Sequence, residues 1–444
     1  MILIKAFRFF QTAREETGNM YSRLRRIILG IIIITALPNT VLATNGSLLI
    51  ASGSKHRALG GAGVALPLDG TSQFINPASI TELGIRADLG LMFFQPRRQA
   101  CTRAVPECEQ SGSEQFLIPN MGGAYRFNRK LSLGFGGAGV GGGSTRYDRD
   151  IFESGGPPST VGASLNQANI VITGAYKLNK AVSVGVSPVI GVQQFRAYGL
   201  ASFITPGITV DPDNVTNRGN DYSYGAGVRF GTLAQFFDGR LNLGASYTSR
   251  IYMTKLDKYR GLLTEDGEFD MPEQYTLGIA VKPIDKLTVA FDVTRIFFSD
   301  IPALGNSINN TVGTSTDPTT EGRLGEKNGG GFGWDDQWVY KLGISYDWNS
   351  KLTLRAGANY GKAPVPEDDN LLPATLAPIA TEWHAALGCS YELSPNSELS
   401  FSYVHAFRNT LSNFDTGEFP ISPGGGAEVQ MVQNSVDVSY ALKF

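Results

Sequence analysis

Long hydrophobic runs are almost missing from this sequence. One lies near the start, and the mean hydropathy of −0.08 leaves no material for several apolar membrane helices of ~20 residues. Charge of one sign is missing too: 38 Lys and Arg stand against 40 Asp and Glu, a balance that argues against a nucleic-acid partner. Three cysteines exclude a disulfide scaffold, three histidines leave no multi-histidine metal site, and no cofactor motif is present. What the chain does have is 42% hydrophobic residues, 10% aromatics and 53 glycines, with apolar side chains interleaved among small and polar ones. A membrane tolerates such interleaving only in a closed barrel, where every backbone group is paired. A soluble all-β protein is the alternative on composition alone.

The one apolar run, 27–37, follows Arg23, Arg25 and Arg26 and is followed by Val41, Leu42 and Ala43. A basic flank, a short apolar stretch and small residues read as a secretory signal cleaved after Ala43. Residues 1–19 form an unusual extension, and Met20 is an alternative start. The sequence therefore divides into a targeting segment at 1–43, a lumenal segment at 44–86, and a wall at 87–444.

The wall repeats one unit: alternating strand, short turn, alternating strand, long polar loop. Fourteen strands are predicted, near 87–95, 119–127, 131–140, 167–178, 181–197, 220–231, 240–252, 271–282, 286–299, 336–348, 351–361, 381–393, 397–408 and 432–444. The turns carry Asn, Asp, Gly and Pro, which supply turn dihedrals. Leu352, Leu354, Ala356 and Ala358 share one face of a strand, while Thr353, Arg355, Gly357 and Asn359 share the other. Aromatics on the apolar face fall into two sets. Phe127, Tyr176, Phe230, Tyr346, Trp348 and Tyr391 are placed at the short-turn end. Phe93, Tyr222, Phe297, Trp338, Trp383 and Phe407 are placed at the loop end. Two girdles favour a barrel with its apolar face outward in a bacterial outer membrane. The last strand alternates to a terminal Phe444, as an assembly signal for such barrels does. The predicted fold is thus all-β, a 14-stranded antiparallel transmembrane β-barrel with an N-terminal hatch, or plug, in its lumen.

The hatch is residues 44–86, where no membrane strand is readable. It contains Arg57, Ala58, Leu59, Gly60, Gly61, Ala62 and Gly63, then Asp69, then Asn76, Pro77 and Ala78. With Met271-Pro272, Gly333-Trp334-Asp335-Asp336 and Leu354-Arg355-Ala356-Gly357, this pattern resembles FadL-type outer-membrane transporters over essentially the whole mature chain. Ser79 departs from it, since Gly commonly follows Asn-Pro-Ala there. The resemblance implies uptake of long-chain fatty acids or similar hydrophobic molecules, hydrocarbons included, and no enzyme activity. It implies capture in an apolar lumenal pocket, hatch movement and lateral exit through a gap at strand three. The partners it implies are outer-membrane lipids, lipopolysaccharide and the barrel-assembly machinery, around a monomer.

Phe74 and Ile75 are candidates to line the pocket, with Lys341 and Arg355 as candidate cations for a carboxylate. Arg126, Arg229, Arg250 and Arg408 share the lumen phase, and lumen acids such as Asp292, Asp347, Glu382 and Asp437 are expected to pair with such cations. Gly136, Gly137, Gly139 and Gly141 are candidates for a lateral gate, because glycine weakens strand pairing. They serve equally as wall glycines facing the hatch. Cys101 and Cys108 lie in the first long loop, on the oxidising side, and are read as a disulfide. Two rivals remain. A passive porin for small polar solutes predicts an unplugged lumen. A lipolytic enzyme needs a nucleophile and base within reach, but His384 and His405 have opposite strand phase and no serine motif accompanies either.

Overall fold

Strict alternation makes each strand two-faced, so the wall is stable only if it closes and gives the faces different surroundings. The computed structural model describes residues 45–103, 105–152, 160–205, 207–311, 322–366, 371–414 and 426–444. The predicted targeting segment lies outside the described residues. Fourteen long strands form the wall: β1 (Arg86–Thr102), β2 (Phe116–Arg126), β3 (Leu131–Ser144), β4 (Gly162–Lys177), β5 (Val182–Tyr198), β6 (Asp221–Phe236) and β7 (Leu241–Thr248). They continue as β8 (Glu273–Ile284), β9 (Leu287–Phe297), β10 (Gln337–Asp347), β11 (Leu352–Gly361), β12 (Trp383–Ser394), β13 (Ser397–Ser412) and β14 (Ala427–Lys443). Each pairs antiparallel with its neighbour, and β14 returns to β1 from Lys443↔Arg86 to Ala427↔Thr102, closing the barrel.

Local chemistry sets the short turns. Asn128, Asn179 and Asn349 each accept from the amides two and three residues on, at 2.8–2.9 Å. This Asx arrangement replaces a backbone turn. Between β6 and β7, Phe237 and Asp238 take positive φ before Gly239, the backbone a tight hairpin needs.

Several strands outrun their predicted ends on the loop side. Residues 96–102, 141–144 and 427–431, expected as loop, are strand. There the wall rises above the apolar band, so the two faces no longer differ in the sequence. β7 does the opposite: it stops at Thr248, not at 252, and residues 249–251 step inward so that Ile251 is buried.

The apolar face points outward. Leu277 is 64% exposed to the surroundings while Asp292, on the other face of the neighbouring strand, is 0% exposed. Trp348 and Trp383 stand exposed near opposite ends of their strands. One aromatic differs from expectation. Phe230 stacks on Tyr247, which leads through Tyr275 to Phe297, so it joins the loop-side row and not the short-turn row. The stagger between strands carries that row across the wall.

Residues 45–85 lie inside the ring. A short helix α1 (Ser54–Ala58) and two 3-10 turns, Gly70–Phe74 and Pro77–Glu82, are buried almost throughout. Above them the long loops share an apolar core with Phe195, Phe298, Trp334 and Leu371.

Candidate transport pathway

The lumen accepts a folded segment because the wall presents glycine where backbones meet. A Cβ on Gly357 would strike the Leu59–Gly60 backbone, one on Gly244 the Val64 carbonyl, and one on Gly122 the backbone of Gly70. Polar groups then complete the fit. Asp292 accepts from the Gly63 and Val64 amides at 2.7 and 2.9 Å, and Asp88 accepts from Gly70 at 2.8 Å. Lys55 pairs with Glu398, and Arg57 donates to Ser435 at 2.6 Å. Burial pushes the Lys55 ammonium pKa down, helped by nearby Arg86 and opposed by Glu398. The expected pairing of lumen cations with lumen acids is revised at Asp292, which serves the amides of the N-terminal segment, whereas Asp88 holds both the Gly70 amide and the Arg86 guanidinium.

The glycines singled out in that segment hold its path. Gly60 and Gly61 have positive φ, and Gly63 leaves room for the His56 ring. The Asn76 side chain donates to Val64 and Thr232 carbonyls and accepts from Ala78. Pro77 and Ala78 press on Gly185 of β5. Ser79, the departure from the expected pattern, is fully buried in the same turn. His56 bonds Ser72 Oγ at 2.9 Å, but that oxygen also accepts from the Leu68 and Asp69 amides. It therefore holds a turn and is not an exposed nucleophile. His384 is fully buried, while His405 bonds Asn434.

Two cavities bear on the site. The outer one, about 70 Å³, sits in the loop core among Phe152, Phe195, Phe203, Leu263, Phe332 and Leu372. No charged side chain lines it. The inner one, about 100 Å³, lies directly above the N-terminal segment. Phe74, Ile75, Leu49, Val140, Arg229 and Lys341 border it. Phe74, Ile75 and Lys341 thus border one cavity. Arg355 does not join them. It lines a separate polar cavity of about 450 Å³ near the short turns and donates to Ser390. Its strand phase was read correctly, but phase gives the face and not the depth. Arg126 and Arg408 are exposed, and Arg250 pairs with Glu268 and Asp270.

Arg229, one of the lumen-phase cations read from the sequence, borders the inner cavity beside Lys341. It is 4% exposed, donates to Thr248 Oγ1 at 2.8 Å, and has no carboxylate partner among the described residues.

Beside the inner cavity the wall is open between two strands. Pairing of β2 with β3 ends at Asn120↔Ala138. Above that, β2 pairs only with β1, and β3 is bulged between Gly139 and Gly141. Residues 47–49 fill the place of the missing partner: Leu49 donates to Val140 at 2.9 Å and Gly142 to Ser47 at 2.8 Å. The opening ends above at Gly112, which donates to Arg146. The four glycines of β3 divide accordingly. Gly136 receives the Phe74 ring, Gly137 faces Met121, Gly139 borders the bulge, and Gly141 lies against Ser47 and Leu48. Cys101 and Cys108 are bonded to each other at the top of β1.

Solved structures share this architecture. The toluene transporter TodX of Pseudomonas putida superposes with TM-score 0.65 at 18% identity, covering 89% of this chain and 99% of that one. A FadL homologue from Pseudomonas aeruginosa gives 0.65 at 16%, covering 90% and 100%. The toluene transporter TbuX of Ralstonia pickettii gives 0.60 at 19%, covering 89% and 99%. No curated protein sequence matches. The family model for outer membrane protein transport proteins (OMPP1/FadL/TodX) matches residues 47–441. With that match across the lumenal segment and the whole wall, the chain belongs to this family of bacterial outer-membrane transporters, which are channels and not enzymes.

Proposed function

We propose that this protein takes up long-chain fatty acids or closely similar anionic amphiphiles, holds them in the inner cavity, and releases them sideways between β2 and β3. The observation that carries this reading is the inner cavity itself. Apolar residues Phe74, Ile75, Leu49 and Val140 share it with Arg229 and Lys341. Arg229 has no carboxylate partner among the described residues, and Lys341 makes no ion pair among them, although Asp292 faces it across the β9–β10 pair and acts on its charge. Removing each CH₂ from water favours binding by ~0.8 kcal/mol. A charge-assisted bond to a carboxylate adds about 1.5–3 kcal/mol.

The same cavity adjoins residues 47–49 and the β3 bulge. These residues act as the door. Two backbone hydrogen bonds hold them to β3, each contributing only about 0.5–1.5 kcal/mol net. A tail entering the cavity displaces Leu48 and Leu49 while the rest of the hatch keeps its contacts. The cavities as built take only part of a long chain, so occupancy and door movement are coupled.

Neutral hydrocarbon uptake is the second reading, favoured by the charge-free outer cavity; the porin reading suits a filled lumen less well. The test is equilibrium binding of oleate and of toluene to the purified protein in lipid nanodiscs. Oleate is expected to bind, and a double Arg229→Met, Lys341→Met variant to bind it at least about tenfold more weakly, a difference of ~1.4 kcal/mol. Toluene binding with no oleate binding would establish the second reading instead.

A further inference from the structure

The lateral opening has a cation of its own. Arg98 lies on β1 just above the last pair that β1 makes with β2, Phe94↔Phe116. Its side chain crosses the breach in the wall, and Nη1 donates to the Ser144 carbonyl at the end of β3, 2.8 Å away. It is 2% exposed, and Nη2 has no hydrogen-bond partner among the described residues. No Asp or Glu pairs with it among them either. Directly below lies an apolar patch of Met92, Phe94, Phe116 and Ile118, with Leu49 of the door packed against it.

A buried guanidinium without a counterion carries a desolvation cost of several kcal/mol. A strut to one carbonyl needs no charge, since a neutral amide would serve. A planar fork with a free N–H above an apolar patch that Leu49 covers is suited to a carboxylate whose tail takes the place of Leu49. We infer that Arg98 is a second anion-binding station, at the head of the lateral opening, which receives the carboxylate of an amphiphile while its tail lies on the Met92–Phe94–Phe116–Ile118 patch. This inference rests on the proposed lateral exit. The head group then passes between two cations: Arg229 holds it within the lumen, and Arg98 holds it at the wall. A neutral molecule with the same tail gains nothing at the second station.

The experiment compares oleate with oleyl alcohol, which has the same tail and no charge, in proteoliposomes. Arg98→Gln keeps a donor for the Ser144 carbonyl and removes the charge; Arg98→Lys keeps the charge. Equilibrium binding of oleate in the lumen is expected to stay within about twofold in both, while oleate transfer to the bilayer slows about tenfold or more in Arg98→Gln alone. Oleyl alcohol transfer is expected to be unchanged. Equal slowing of both molecules would make Arg98 a strut and overturn the inference, as would unchanged oleate transfer in a folded Arg98→Gln protein. Oleate transfer slowed less in Arg98→Lys than in Arg98→Gln, or than in Arg98→Met should the Gln variant fold poorly, supports the role of charge, and slowing in Arg98→Lys to the level of the uncharged variant counts against it. Absence of oleate binding in the unsubstituted protein would fail the parent reading instead, and is seen before any variant is compared.

Discussion

The N-terminal segment is attached to the wall in two unlike ways. Against β9 to β14, α1 and the turn at 60–64 are held by close backbone contacts, by Asp292 on two amides, and by the Lys55–Glu398 pair. Against β3, residues 47–49 are held by two backbone hydrogen bonds beside a cavity. Breaking a buried ion pair by removing one partner costs about 3–5 kcal/mol, whereas each backbone bond contributes about 0.5–1.5 kcal/mol. On the proposed reading the first attachment is an anchor and the second a door, so that the segment opens without leaving the lumen.

Breaking the anchor gives the largest effect. Gly357→Leu drives a side chain into the Leu59–Gly60 backbone, and overpacking with no flexible neighbour to yield costs at least about 1–3 kcal/mol. The expected outcome is a displaced segment, read as a steady aqueous current in planar bilayers. A closed, fully stable Gly357→Leu barrel would show that the anchor does not lie at this contact. Breaking the door gives a smaller and more selective effect. Leu49→Pro removes the amide that Val140 accepts from, a loss of about 1 kcal/mol. Thermal stability is expected to remain close to that of the parent, while oleate transfer without a filled cavity rises several-fold. If stability falls as far as in Gly357→Leu, the two attachments are one.

The same division explains what was legible in the sequence. The wall was readable because a strand in lipid must alternate, and the turns because Asn128, Asn179 and Asn349 use a local chemistry that needs no distant partner. Phase placed Lys341 and Asp292 on the lumen face but was blind to height, which is why Arg355 was grouped with a cavity it does not reach. The anchor left a trace in Gly60, Gly61 and Gly63, since close approach requires glycine. The door left none: three residues pairing with an interior edge have no period. Arg98 was hidden for a related reason. It lies in the part of β1 above the apolar band, where Pro96, Arg97 and Arg98 read as loop.

The wall at β7 sharpens the contrast. There β7 stops at Thr248, and Ile251 and Met271 border the inner cavity, packed in one cluster with Ala138 and Val140 of β3. The break is tied from outside by Arg250, which pairs with Glu268 and Asp270, while Asp270 also accepts from the Met253 amide. Burial, the bond shared with Glu265 and the charge of Asp270 together outweigh Arg250 and hold the Glu268 carboxyl up at about 6, above its ordinary 4.5. A carboxyl whose folded value is raised favours the fold while protonated. Its contribution is therefore full below about pH 4.5 and is lost as pH rises through about 6. Because Glu268 is partly exposed, screening limits the effect to about 1 kcal/mol or less. Glu268→Gln is expected to slow amide exchange across 253–270 at pH 7.5 and to change little at pH 4.5. Equal protection in variant and parent at pH 7.5 would mean that this side of the cavity does not yield with pH, leaving residues 47–49 as its only compliant wall among the described residues.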